Sequence, residues 1–161
     1  MAPQAGYSGT PLPRKLGVKP GDEVAVLGGP GRAAGVSGRP EDMTAMDRVA
    51  AEIAGLPGLA PVRRELSGSD PLDVIVVFVT QRADLAGQLA GLRARMAPAA
   101  GLWVAWPKRA SGVATDMTEH VVREIALPTG LVDNKVCAID QTWSGLRLVI
   151  RRELRPGGPG Q

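Results

Sequence analysis

Residues 74–79 read Val-Ile-Val-Val-Phe-Val, the longest uninterrupted apolar run in the chain. That is strand length, far short of the roughly 18 apolar residues a membrane helix requires. β-Branched and aromatic side chains favour an extended backbone. No polar residue alternates with the apolar ones, as it would in a strand covered on one side only, so both faces of this strand need burial. A chain built around such a strand must lay other elements on both sides of a sheet.

The flanking segments supply those elements. Leu85, Leu89, Leu92 and Met96 recur at helical spacing and form one stripe. Residues 101–106 then give a second buried strand that Pro107 ends. Upstream, residues 12–16 make a helical turn stopped by Gly17, and Lys19-Pro20-Gly21-Asp22 is a turn feeding a short buried strand over 23–27. A Gly-rich loop over 28–39 follows, and Pro40, Glu41 and Asp42 open a helix. Met43, Met46, Val49, Ala50 and Ile53 form its apolar stripe, and Gly55 and Pro57 end it.

Residues 62–66 read as a weak strand. Asp116 to Glu119 is a capping box for a helix that turns Val121, Val122 and Ile125 inward and stops at Gly130. Strands over 132–139 and 146–150, joined by a loop over 140–145, close the chain as a hairpin. In the last strand Leu146, Leu148 and Ile150 alternate with Arg147, Val149 and Arg151, the pattern of an antiparallel partner. Strand–helix alternation closed by a hairpin predicts an α/β fold, a three-layer Rossmann-like sandwich whose mostly parallel sheet ends in a C-terminal antiparallel hairpin. The expected organisation is an N-terminal arm over 1–11, a single domain over 12–153 and a disordered tail over 154–161.

With 161 residues the chain has the size of one domain, and its 44% hydrophobic and 22% charged residues are ordinary for a globular protein. One cysteine leaves no internal disulfide and suits a reducing compartment, so a cytoplasmic protein is expected. One cysteine and one histidine also exclude a soft-ligand zinc site within the chain, and no metal is expected. The start of the chain lacks the basic and apolar regions of a signal peptide. The net charge of +3 is modest for a dedicated nucleic-acid binder.

Two resemblances rest on particular segments. The order LGVKPGDEVAVLGGPG, LDVIVVFV, APAAGLWVAWP and a final hairpin is similar to the class I methyltransferase core, which binds S-adenosylmethionine. The segments GYSGTPLPRKLGVKPGD, LWVAWPKRASGVATD and GLVDNKVCAIDQTWSGLRLVIRR resemble a bacterial domain-of-unknown-function family over about Gly6 to Glu153. The methyltransferase resemblance implies an S-adenosylmethionine site, with two departures. Val26 stands where those enzymes carry an acid ahead of the Gly-rich turn, and Glu65 is the candidate for the acid that grips the ribose hydroxyls. Only residues 67–72 separate the weak strand from the strong one, too few for a parallel crossover. The strand–helix–strand unit that would hold the adenosine end is therefore missing.

Candidate ligand-binding residues lie where open α/β sheets place ligands, beyond the carboxyl ends of the strands. Gly28 and Gly29 begin a loop whose amides could cradle a phosphate, or which is simply a Gly-rich connection. Thr80 follows the strong strand. Trp106, Lys108, Ser111 and Thr115 combine an aromatic face, a positive charge and hydroxyls, a set suited to a small anionic or planar ligand. The alternative is a polar connection in which Thr115 or Asp116 caps the next helix. Trp143 would close over a ligand or anchor the hairpin, and Trp103 is core.

His120 stands between Asp116 and Glu124 at helical spacing, which surface pairing explains without catalysis. Cys137 is an inert core thiol in an apolar strand. Tyr7, Ser8, Thr10, Arg14 and Lys15 form a polar cluster ahead of the first strand, an arm over the ligand or a structural one. Arg147, Arg151, Arg152 and Arg155 form a basic stripe, read as a solvated sheet edge.

No catalytic residue stands out, and the sequence alone leaves activity open. The leading expectation is a non-catalytic or vestigial small-ligand-binding module. The alternatives are a small S-adenosylmethionine-dependent methyltransferase with a shortened cofactor pocket and a protein-interaction subunit with a protein partner.

Overall fold

A computed structural model describes residues 11–28 and 44–155. They form a five-stranded sheet in the order β1-β2-β3-β5-β4, from β1 (Val24–Gly28), β2 (Leu72–Phe78), β3 (Met96–Pro107), β4 (Leu131–Ala138) and β5 (Trp143–Ile150). β1 pairs parallel to β2 and β2 to β3, while β5 runs antiparallel between β3 and β4. Four strands therefore point one way and only β5 is reversed. Helix α1 (Leu12–Lys15) and α2 (Ala45–Ala54) cover one face, and α3 (Arg82–Ala94) and α4 (Glu119–Ala126) the other. The three-layer α/β sandwich is the predicted one.

The unbroken apolar run has the predicted cause. Ile75, Val77 and Val79 belong to the core under α3 and α4, whereas Val74, Val76 and Phe78 belong to the core under α1 and α2. Each such side chain contributes about 1.5–3 kcal/mol when fully buried, so both cores draw on one strand. Trp103 is fully buried, and its indole N–H donates to the Leu16 carbonyl at 3.0 Å, fastening α1 to the sheet.

Several boundaries differ from the expectation, each for a local reason. Pro40 to Asp42, the expected helix start, and Met43 lie outside the described residues. The described helix opens at Thr44, whose backbone is extended and whose hydroxyl accepts from the Asp47 amide. Met96 is not the end of a helical stripe. α3 stops at Ala94, and Met96 pairs with Leu72 as the first residue of β3. Pro107 ends β3 as expected, as its last residue opposite Trp143, but the strand begins at Met96 rather than at 101.

The Asp116–Glu119 box is replaced by Thr118, whose hydroxyl accepts from the Val121 amide. Trp143, Ser144 and Gly145 belong to β5, so the expected loop over 140–145 shrinks to the turn before Trp143. Residues 62–66 contribute one parallel bridge, Arg63 with Ala25. The Arg63 amide donates to the Val24 carbonyl at 2.9 Å, and the Val26 amide donates to the Arg63 carbonyl at 2.8 Å.

Candidate functional site

That single bridge decides where a ligand crevice can form. From β1 the chain passes through α2 to Arg63 on the outer side of β1, then returns to β2 on the inner side. The winding thus reverses at β1. In open α/β sheets ligands bind outside the carboxyl ends of the strands at such a reversal. Here those ends are Gly28 of β1, paired with Phe78, and Thr80 just past β2. Gly29 and the rest of the Gly-rich loop fall outside the described residues.

The segment after the bridge follows on the outer side of β1. Glu65 lies two residues past Arg63, level with the end of β1, and is exposed. No hydrogen bond or ion pair involves its carboxylate among the described residues. Arg64 binds two partners. Its Nε donates to the Val26 carbonyl at 3.2 Å and its Nη2 to the Asp47 carboxylate of α2. That guanidinium, with the Thr44 hydroxyl, holds the Asp47 carboxyl below its ordinary range despite the opposing cost of burial. Arg63 reaches Glu23 at 3.2 Å and Asp70 at 3.4 Å.

The short connection over 67–72 is pinned from the far side by buried Arg95. Its Nε donates to the Asp70 carbonyl at 3.0 Å and its Nη1 to the Ser67 carbonyl at 3.3 Å. The expected lack of a full strand–helix–strand unit between the bridge and β2 therefore agrees with the described chain.

Of the polar set after β3, Trp106, Lys108 and Thr115 share a pocket that Ser111 does not line, and the polar groups of the set serve the backbone. A surface pocket of about 460 Å³ is lined by Trp106, Lys108, Thr115, Asp116 and Ser144. Trp106 is buried among the residues under α3 and α4, leaving only its margin to the pocket. The Lys108 ammonium donates to the Asp140 carbonyl at 2.9 Å, tying the end of β3 to the hairpin turn. The Ser111 hydroxyl donates to the Lys108 carbonyl at 2.7 Å and accepts from the Val113 amide. The Thr115 hydroxyl donates to the Thr80 carbonyl at 2.6 Å and accepts from the Met117 amide.

Thr115 and Asp116 do not cap α4. Asp116 accepts instead from the Arg82 amide at 2.7 Å, supplying α3 with the cap that its own Gln81 does not provide.

Trp143 packs edge-on against Phe78, with ring centroids 5.0 Å apart, and anchors the hairpin to the core under α2. His120 stands 3.9 Å from Glu124 on an exposed helical face, and Asp116 is engaged elsewhere. Cys137 is half-buried, and burial pushes its thiol up, away from the reactive thiolate, against smaller opposite effects of Lys15 and Lys135. Tyr7, Ser8 and Thr10 lie outside the described residues, and Arg14 is exposed.

The basic stripe is not a sheet edge: β5 lies between β3 and β4, Arg147 turns onto the face under α1, and Arg151, just past β5, pairs with Glu153 at 3.9 Å. The Arg64–Asp47 pair is nearly silent in the sequence. Its one available signal was an acid in the first turn of a helix. Among the described residues, no cluster of His, Cys, Asp or Glu could hold a metal ion, and no helix is long and apolar enough to cross a membrane.

No protein-family model matches this sequence, and no curated protein is similar to it. Solved structures do share its fold. An S-adenosylmethionine-dependent methyltransferase from Aquifex aeolicus is similar with a TM-score of 0.53 and 18% identity, over 85% of this chain and 87% of that one. Magnesium protoporphyrin IX methyltransferase from Synechocystis PCC 6803, with bound S-adenosylhomocysteine, is similar with a TM-score of 0.51 and 14% identity, over 81% and 74% of the two chains. The described core is a class I methyltransferase-like fold.

Proposed function

We propose that this chain binds S-adenosylmethionine, or a closely related adenosyl compound, at the carboxyl ends of β1 and β2, as a small methyltransferase with a shortened cofactor pocket. The observation that supports the reading is the reversal of winding at β1, because open α/β sheets bind ligands at such a point, here beside Gly28 and Thr80 with Glu65 just past the bridge. The expected ligand-binding residues Gly28 and Thr80 are kept in this reading, while Trp106, Lys108 and Thr115 line a pocket beyond β3.

The residues fit the adenosyl group in part. Glu65 offers an exposed carboxylate, free of partners among the described residues, to a ribose diol. At the acid position of β1, Val26 is fully buried and cannot reach a ligand. When bound, S-adenosylmethionine supplies a transferable methyl group. The chain's part is to hold the nucleoside with Glu65 and the strand ends.

A non-catalytic ligand-binding module is the second reading. Its support is that the Ser111 and Thr115 hydroxyls and the Lys108 ammonium are each hydrogen bonded within the protein.

Calorimetric titration with S-adenosylhomocysteine tests the reading. Saturable one-to-one binding that weakens at least about tenfold in Glu65→Gln, the size of a lost charge-assisted hydrogen bond, would support it. No saturable binding by the unaltered protein would overturn it. Binding without methyl transfer to any acceptor would favour the second reading.

A further inference from the structure

At the opposite, amino-terminal end of the sheet lies a surface pocket of about 740 Å³ on the face carrying α1. Its walls include Pro20, Leu56 and Pro57, and three cations, Arg14, Lys19 and Arg147, line it without any acidic residue. Arg147 projects from β5 over β3. A Cβ added at Gly101 would stand 2.4 Å from its Nε, so the bare glycine backbone is what makes room for the guanidinium. Directly across the β4–β5 ladder from Arg147 stands Lys135, another cation. Like charges placed opposite each other destabilise a sheet.

Among the described residues, neither a hydrogen bond nor an ion pair engages the Arg147 guanidinium. Burial, with Arg155 nearby, disfavours its charged form. Other arginines of this chain are differently placed. Arg63 has Glu23 and Asp70, Arg64 has Asp47, and Arg123 has Glu119 and Asp133. A half-buried, uncompensated cation beside a second one costs stability unless something else supplies the counter-charge.

We infer that this pocket binds a phosphate monoester, its phosphoryl oxygens on Arg147, Arg14 and Lys19 and its organic group against Pro20, Leu56 and Pro57. A phosphate carries about −1.5 to −2 charge near pH 7, a multiple charge that suits a pocket lined by three cations and no acid. The guanidinium fork suits two of its oxygens at once. The site lies apart from the crevice proposed for the adenosyl group, and its fate does not depend on that reading.

The test is calorimetric titration of the whole chain with inorganic phosphate and with phenyl phosphate. Both are expected to bind saturably at one site, phenyl phosphate at least several-fold tighter because its ring meets the apolar wall. Arg147→Met should weaken both at least tenfold without lowering the thermal midpoint, since it removes an unpaired cation and keeps the side chain's apolar stem. Lys19→Ala, at an exposed position, should weaken both by a smaller factor. Absence of saturable binding by the unaltered chain, or binding unchanged in Arg147→Met, would overturn the inference.

Discussion

The two ends of the sheet each gather a polar cluster, and the clusters are built on opposite principles. After β3, the Lys108 ammonium and the hydroxyls of Ser111 and Thr115 reach backbone atoms within 3 Å. At the other end, Arg147 sits among cations with no partner from the described chain. Buried polar groups are normally satisfied, so the first cluster explains itself as a clamp on strand ends and helix caps. The second finds no counter-charge among the described residues, which is what the inferred phosphate would supply. A collection of ligand-like side chains is therefore weaker evidence of a site than a single charge left unanswered.

The sharpest way to break this contrast is to delete a polar group from each cluster. Thr115→Val removes a donor to the Thr80 carbonyl and an acceptor for the Met117 amide. Two net hydrogen bonds amount to about 2 kcal/mol, or a fall in thermal midpoint of about 4–8 °C for a chain of this size. Arg147→Met should lower the midpoint by nothing measurable. A thermal scan in which Arg147→Met falls further than Thr115→Val would reverse the roles assigned to the two ends. Asp116→Ala comes next. It uncaps α3 and is expected to lower stability by about 1 kcal/mol in urea denaturation, with Asp116→Asn retaining most of it.

Much of the fold was legible because it rests on periodicity. The run over 74–79, the Leu85-Leu89-Leu92 stripe and the alternation of Leu146, Leu148 and Ile150 each report burial directly, and each is buried as read. Ends of elements were less legible, because they depend on partners distant in sequence. Asp116 looks like the cap of the helix three residues on, yet it caps α3, and no local pattern encodes an Asp-to-amide contact spanning 34 positions. Met96 has the right spacing for a helix, but pairing with Leu72 takes it into a strand.

Of the proposed site, the sequence carries only the strand ends. Gly28 and Thr80 follow from strand ends, whereas the reversal at β1 depends on one bridge in a segment with weak strand character. Arg147 read as a member of an edge stripe. Only the register that sets it over Gly101 and opposite Lys135 separates it from its neighbours.

A smaller effect contrasts a satisfied arginine with the unsatisfied one. Asp47 is held below its ordinary value of 3.8 by Arg64, so the unfolded chain takes up its proton first as pH falls. The pair's contribution is thus complete above about pH 4–5 and disappears as pH drops through the lowered folded value. Both side chains are partly solvated, and screening limits the contribution to about 0.5–1 kcal/mol. Urea denaturation at pH 7 and pH 3 should show a smaller acid-induced loss in Asp47→Asn than in the unaltered chain. Equal losses would mean that the pair carries no pH-linked stability.

Gly101→Ala is expected to change stability least while still discriminating between the two ends. The new methyl group would collide with the far end of the Arg147 side chain, which is flexible, and with no backbone atom inside 3 Å. The guanidinium can swing aside, and an alanine suits a strand better than a glycine, so the net change should stay within about 0.5 kcal/mol. Displacing the guanidinium nevertheless takes it out of the pocket shared with Arg14 and Lys19. Phosphate binding should therefore fall nearly as far as in Arg147→Met, and the double variant should bind no more weakly than either single one. A Gly101→Ala protein that keeps full phosphate binding would mean that Arg147 does not need to lie flat on β3. The glycine would then record only the packing of two strands.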